Sequence, residues 1–112
     1  TMLKIAIDGL DAVQATKEIL AIEGIEGSYK IDGDCHEKGV TLATILTIVG
    51  IGSGTSIIIN NTLTIAEKIL QCYKKHEKKL EKVEIVSGEK RVVLRGTTVE
   101  QIKDILENFL RK

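Results

Sequence analysis

Apolar and polar positions alternate at the start of the chain. Over residues 3–8 the large apolar side chains occupy every second position, a period that is typical of a half-buried strand. Residues 11–23 instead carry apolar side chains at helical spacing, and Gly24 then ends the predicted helix. A second strand is predicted over residues 25–31, although Gly27 weakens the pattern there. The chain therefore begins with a strand, a helix and a strand.

The last third of the chain shows a hairpin pattern and then a helix pattern. Two apolar runs, residues 83–86 and 92–94, flank a turn at Gly88 and predict a β-hairpin. Residues 99–110 show the most regular helical spacing of apolar side chains in the chain. Pairs that could form a capping box at a helix start are Asp11 with Gln14, Thr97 with Glu100 and Thr98 with Gln101.

The central part of the chain is unusual because it carries no charge over a long run. Residues 40–66, VTLATILTIVGIGSGTSIIINNTLTIA, are uncharged, and residues 67–82 follow as a charged amphipathic stretch. We interpret the two together as a helical segment over about residues 40–82 that is interrupted by glycines. One straight helix of that extent would be about 60 Å long. A compact domain of this size has a radius of gyration of about 13 Å, so the rest of the chain could not bury such a helix.

Three interpretations of the uncharged run stay open. The helix could break at the glycines, because each glycine inside a helix costs about 1 kcal/mol relative to alanine. It could pack against copies of itself, since Gly50 and Gly54 would share a helix face and let two backbones approach closely. It could contact a membrane or cross it, and crossing needs about 20 apolar residues. The residues that would form the break or the packing interface are Gly50, Gly52 and Gly54.

The order of the predicted elements indicates the fold class. It runs strand, helix, strand, long helical segment, strand, strand and helix, without the strict alternation of an α/β protein. We therefore expect an α+β fold with a small mixed sheet of about four strands. The chain has 112 residues, and no linker rich in Pro, Gly or Ser divides it. Residues 1–112 are expected to form a single domain.

Charge and aromatic content argue against nucleic-acid binding. Sixteen basic residues balance sixteen acidic ones, so no net field attracts an anionic partner. One Phe, two Tyr and no Trp leave few platforms for stacking bases. Within residues 74–82, KKHEKKLEK, the lysines alternate with Glu77 and Glu81, which is typical of an exposed helix face. No nucleic-acid partner is expected.

Residues that could carry chemistry are few. Weak candidates for zinc ligands are Cys35, His36, Cys72 and His76. A helix would place Cys72 and His76 on one face, but the spacing is not that of a zinc finger. The simpler alternative leaves Cys72 in the core and both histidines facing solvent. Residues 50–56 lack the lysine of a phosphate-binding loop, and adjacent Cys35 and His36 rarely face each other as a nucleophile and its base. We expect no cofactor, no catalytic residue and no enzymatic activity.

The layout of the whole chain resembles a known family. The stretches that carry the resemblance are VTLATILTIVGIGSGTSIIINNTLTIAEKIL, YKKHEKKLEKVEIVSGEKRVVLRG and TVEQIKDILENFL. Their order, together with the glycine-serine-glycine break at residues 52–54, resembles the effector-associated constant component family of small bacterial proteins. Members accompany multi-component, NTP-dependent conflict systems. The resemblance implies no catalytic residues, and it implies an accessory or adaptor subunit whose effectors are other proteins.

The expected function is therefore that of a non-catalytic adaptor or assembly module in a bacterial defence or conflict signalling system. It would act by self-association or protein binding through the central helices. Two alternatives stay open: a membrane-associated sensor or pore component that uses residues 40–66, and a small-molecule or metal-binding domain. Met2 leads directly into a strand pattern without a secretory leader, so we expect a cytoplasmic location, with membrane contact as the alternative.

Overall fold

The structure, a computed structural model, describes residues 2–31, 43–51 and 58–110. The strands are β1 (Leu3–Gly9), β2 (Ile25–Ile31), β3 (Ala43–Ile51), β4 (Leu80–Ser87) and β5 (Lys90–Val93). The helices are α1 (Ala12–Leu20), α2 (Ile58–His76) and α3 (Val99–Leu110). A short 3₁₀ turn, Glu77–Lys79, joins α2 to β4.

The described strands form one sheet in the order β2-β3-β1-β4-β5, and each neighbouring pair is antiparallel. The order from β1 to β4 is strand, helix, strand, strand, helix, strand, which is the split βαβ (ferredoxin-like) arrangement. β5 and α3 extend it by a hairpin strand and a third helix. The predicted α+β class is confirmed, with five antiparallel strands in the described ranges where a mixed sheet of about four was expected.

One face of the sheet is covered by the helices. A cross-strand row on that face joins Leu46, Ile5 and Ile85, all of them fully buried. The helices contribute to the same buried cluster with Ile19, Ile65, Ile69, Ile102 and Ile105. Burying an apolar side chain of this size contributes about 1.5–3 kcal/mol. This core explains both the alternation in β1 and the helical spacing in α3.

The first part of the central segment is a strand, so its predicted helix is wrong over Ala43–Ile51. Thr44, Leu46 and Ile48 are buried there, whereas Ile45 between them is partly exposed. Ile45 and Val49 on the outward side of β3 are apolar as well, so the alternation that marks a half-buried strand is weak in this sequence. The sequence of β3, ATILTIVGI, is rich in β-branched residues, which favour strands. A short uncharged run cannot be assigned to helix or strand by periodicity alone, and here β-propensity decides.

The later part of the central segment is helical, since α2 runs from Ile58 to His76 before β4 begins at Leu80. Gly50 lies in β3, so it cannot contribute to a helix break or a helix–helix contact. Gly52 and Gly54 lie outside the described residues, and their interface role stays a prediction. Within the described ranges, no helix is both long enough and apolar enough to cross a membrane.

Candidate functional site

Polar side chains from α1 and α2 meet where the two helices pack together. Cys72 and His76 are four residues apart in α2 and therefore share one helix face. Glu18 of α1 faces them, and one ligand atom from each of these three residues lies within 4.8 Å of the other two. Asp11, immediately before α1, reaches the far side of His76. The site thus joins two helices that are distant in the chain.

His76 lies between two carboxylates. Its Nδ1 is 2.8 Å from Oδ2 of Asp11, and its Nε2 is 3.2 Å from Oε1 of Glu18. The side chain is only 8% exposed. Burial alone would lower the pKa of His76, but the two carboxylates outweigh it and raise that pKa above its ordinary value.

The two nitrogens of His76 are not equivalent. Nδ1 makes a hydrogen bond with Asp11. Nε2 is buried without a hydrogen-bond partner among the described residues, because its contact with Glu18 has ion-pair distance but not hydrogen-bond alignment. An imidazole that donates from Nδ1 keeps a lone pair on Nε2, and the ligand atoms of Glu18 and Cys72 lie within 4.8 Å of that nitrogen.

The Cys72 thiol is protonated in this environment. Sγ is 3.6 Å from the carbonyl oxygen of Ala15, to which it donates, and 3.8 Å from Oε1 of Glu18. Burial, followed by the negative charge of Glu18, raises the pKa of Cys72 to about 12. The thiolate is the nucleophilic form of cysteine, so Cys72 is a poor nucleophile here.

Glu18 is the member of the cluster that reaches the surface. Its Oε2 forms an ion pair at 3.3 Å with Nζ of Lys75, which is 66% exposed. The nearby His76 imidazole, together with Lys75, outweighs burial and lowers the pKa of Glu18. Glu18 and Cys72 also line a surface cavity of about 220 Å³. The cluster is therefore reachable from solvent on its Glu18 side.

The four weak zinc candidates have different outcomes. Cys72 packs in the core as expected, but the expectation that His76 faces solvent is wrong, because α1 covers it. Cys35 and His36 lie outside the described residues. Sequence reasoning missed Glu18 as a site residue. It assigned Asp11 to a helix cap, yet within the described part of the chain that carboxylate makes no cap hydrogen bond and instead binds His76.

The second notable surface is the face of the sheet opposite the helices, which we call the open face. Strand register places the partly buried Ala6, Ile45 and Val86 on this face, where Ala6 lies between Ile45 and Glu84 and Val86 lies beside Lys4. Val93 of β5 is 44% exposed and pairs with Glu84. Charged positions on this face are Lys4, Asp8, Lys30, Lys82, Glu84 and Arg91. The open face thus mixes partly exposed apolar side chains with charges of both signs, including Lys4 and Asp8 on the central strand β1.

Comparison with protein-family models, with curated proteins and with solved structures found no match to this chain. The split βαβ arrangement hosts many unrelated functions, so it does not identify one. Function is therefore argued from the surfaces and side chains described above.

Proposed function

We propose that this chain is a non-catalytic assembly module that binds a second copy of itself through the open face. The observation that carries the proposal is the set of apolar side chains that the helices leave uncovered on that face, Ala6, Ile45 and Val86, interspersed with charges of both signs. All three helices of the described ranges pack on the opposite side of the sheet. The solvated face of an antiparallel sheet is expected to be polar, so the apolar side chains among these charges are what a contact with another protein would cover.

Two exposed valines add to the apolar side chains of this face. Val49 is 61% exposed and continues the alternation of Ile45 along β3, and Val93 adds a second exposed apolar group on β5. A stable interface needs about 800 Å² from each partner. A five-stranded sheet face offers an area of that order.

The charges on the open face favour a second copy as the occupant. In a two-fold symmetric contact the same face meets itself, so a surface with both signs can complement its own charges. Asp8 and Glu84 supply the negative groups, and Lys4 and Lys30 are among the positive ones. A chain with zero formal net charge meets little long-range repulsion on pairing.

An adaptor role in a bacterial defence or conflict system is supported by the resemblance to the effector-associated constant component family. The protonated state of Cys72 is consistent with a non-catalytic role. In such a system the assembled module would hold effector proteins that supply the chemistry.

The test is the mass of the chain in solution, measured by light scattering. The wild-type protein should be a dimer. A Val49→Lys, Val93→Lys double variant should be a monomer at the same concentration, because two charges would have to be buried in the interface. Both side chains are exposed in the single chain, so the variant should keep the fold.

A matched control places the same two charges elsewhere. Leu10 and Leu63 are 62% and 41% exposed and lie away from the open face, in the turn before α1 and in α2. The Leu10→Lys, Leu63→Lys variant should remain a dimer. A monomeric wild-type protein, or a dimer that survives the open-face variant, would rule out this assembly.

A further inference from the structure

We propose that Glu18, Cys72 and His76 form a binding site for a zinc-class divalent cation, with Asp11 orienting the histidine. Zinc binds thiolate sulfur, imidazole nitrogen and carboxylate oxygen, and the three residues supply one of each. A sulfur ligand argues against magnesium and calcium, which take oxygen ligands. The site is distinct from the open face and independent of the assembly proposal.

The distances suit one ion held by three ligands. Bond lengths of about 2.1 Å to nitrogen and oxygen place those two atoms about 3.4 Å apart in a tetrahedral site. Nε2 of His76 and Oε1 of Glu18 are 3.2 Å apart. With a zinc–sulfur bond of about 2.3 Å, sulfur and oxygen should be about 3.6 Å apart. Sγ of Cys72 lies 3.8 Å from the same oxygen and within 4.8 Å of Nε2, so side-chain shifts of about 1 Å or less close the site.

The orientation of His76 is the second observation that points to a ligand. Metal-binding histidines commonly donate their other ring N–H to a carboxylate, which fixes the tautomer and raises the basicity of the ligating nitrogen. Asp11 stands in that position at 2.8 Å from Nδ1. Nε2, buried and without a hydrogen-bond partner in the described ranges, is the atom left to bind.

Room for a fourth ligand exists on the solvent side. Glu18 and Cys72 line the surface cavity, through which an ion can enter and a water can complete the tetrahedron. On binding, the Cys72 thiol releases its proton to solvent and sulfur bonds to the metal as thiolate. The Lys75 ammonium leaves Glu18, because a divalent cation at the same carboxylate repels it. The bound ion would fasten α1 to α2.

Cobalt(II) is the probe, since it takes tetrahedral zinc sites and gives visible bands and a sulfur-to-cobalt charge-transfer band. Titration of the metal-free 112-residue chain should show one Co²⁺ bound per chain, with both sets of bands, and Zn²⁺ should abolish them. The thermal unfolding midpoint should rise with either metal. Absence of the charge-transfer band in the wild-type protein would overturn the site.

Variants separate this site from adventitious binding. Cys72→Ser should lose the charge-transfer band, while Cys35→Ser, the matched change at the other cysteine, should keep it. The opposite pattern would overturn the assignment. Asp11→Asn should weaken Co²⁺ binding about 10- to 100-fold, because it disturbs the orientation of His76. Lys75→Met should tighten Co²⁺ binding, because it removes the ammonium that competes with the metal for Glu18. If Lys75 and Glu18 formed only a structural ion pair, the Co²⁺ affinity would not change.

The two proposals fail separately. The Val49→Lys, Val93→Lys variant should bind Co²⁺ like the wild-type chain, and Cys72→Ser should leave the mass in solution unchanged. A dimer without metal binding would exclude only the metal site. A metal-binding monomer would exclude only the assembly.

Discussion

Thr98 begins α3 with a reciprocal pair of hydrogen bonds. The backbone N–H of Gln101 donates to Oγ1 of Thr98 at 3.3 Å, and the N–H of Thr98 donates to Oε1 of Gln101 at 3.1 Å. This is a capping box, one of the pairs expected from the sequence. Thr98→Ala should lower the free energy of unfolding by about 1 kcal/mol, measured by urea denaturation.

The neighbouring threonine provides the control. The hydroxyl of Thr97 donates to Oε1 of Gln101 at 2.7 Å. That hydrogen bond joins two exposed side chains and pairs no backbone N–H of the helix. Thr97→Ala should therefore change the free energy of unfolding by less than ~0.5 kcal/mol. Equal losses in the two variants would show that Thr98 does not cap the helix.

A buried hydroxyl pair joins α1 to the sheet. Oγ1 of Thr16 lies 2.5 Å from Oγ1 of Thr44, and both residues are fully buried. Thr16→Val should cost about 1–3 kcal/mol, because the hydroxyl of Thr44 then loses this buried partner. The double variant, with Thr44→Val added, should recover part of that loss. Urea unfolding of all four proteins gives the coupling energy, and strictly additive losses would contradict the pairing.

Only some of the site residues could be found from the sequence. Cys72 and His76 share a helix face at a spacing of four, which the sequence shows directly. Glu18 is 54 residues from Cys72, and Asp11 is 65 residues from His76. Such partners meet only through the packing of α1 on α2, and local patterns contain no signal for it. The same packing buries His76, which sequence reasoning placed in solvent.

At the scale of elements, a β-bulge sets how β2 pairs with β3. The register shifts between Glu26 and Gly27, and Gly27 lies opposite Ile48. A Cβ at Gly27 would overlap the carbonyl oxygen of Thr47, a backbone atom that cannot rotate away. Gly27→Ala should therefore destabilise the protein by about 1–3 kcal/mol in urea unfolding.

Gly50 is the matched control in the facing strand. A Cβ at Gly50 would lie 3.1 Å from Oε1 of Glu26, the mobile end of a long side chain. Gly50→Ala should therefore cost much less than Gly27→Ala. Similar losses would show that close approach at the bulge does not explain the glycine at position 27.

Element types were predictable where one periodicity dominated. β1 alternates and α3 repeats at helical spacing because each buries one face on a single core. β3 was missed because its outward residues, such as Ile45, are also apolar, so the alternation that would identify a strand is lost. The hairpin of β4 and β5 was recognised from its turn, although β4 begins earlier than predicted, at Leu80.

At the scale of the whole molecule, α3 completes the core that the split βαβ unit leaves open. Four of its side chains are buried against the sheet and α2: Ile102, Ile105, Leu106 and Phe109. Burying each of the four contributes about 1.5–3 kcal/mol. Their sum is comparable with the free energy of unfolding of a small domain, about 5–15 kcal/mol. If residues 1–112 form a single domain, as expected, removal of α3 should unfold the rest of the chain.

Truncation after Ser87 tests that dependence. Residues 1–87 retain β1 to β4 but lose β5 and α3, which exposes to water the apolar surfaces of α2 and β4 against which α3 packs. The fragment should unfold without a cooperative transition in thermal circular dichroism, whereas the full chain should show one sharp transition. Within the full chain, Ile102→Ala should cost about 2–5 kcal/mol and the exposed Asp104→Ala less than ~0.5 kcal/mol. A fragment that unfolds as sharply as the full chain would instead make the split βαβ unit the domain and α3 an appendage to it.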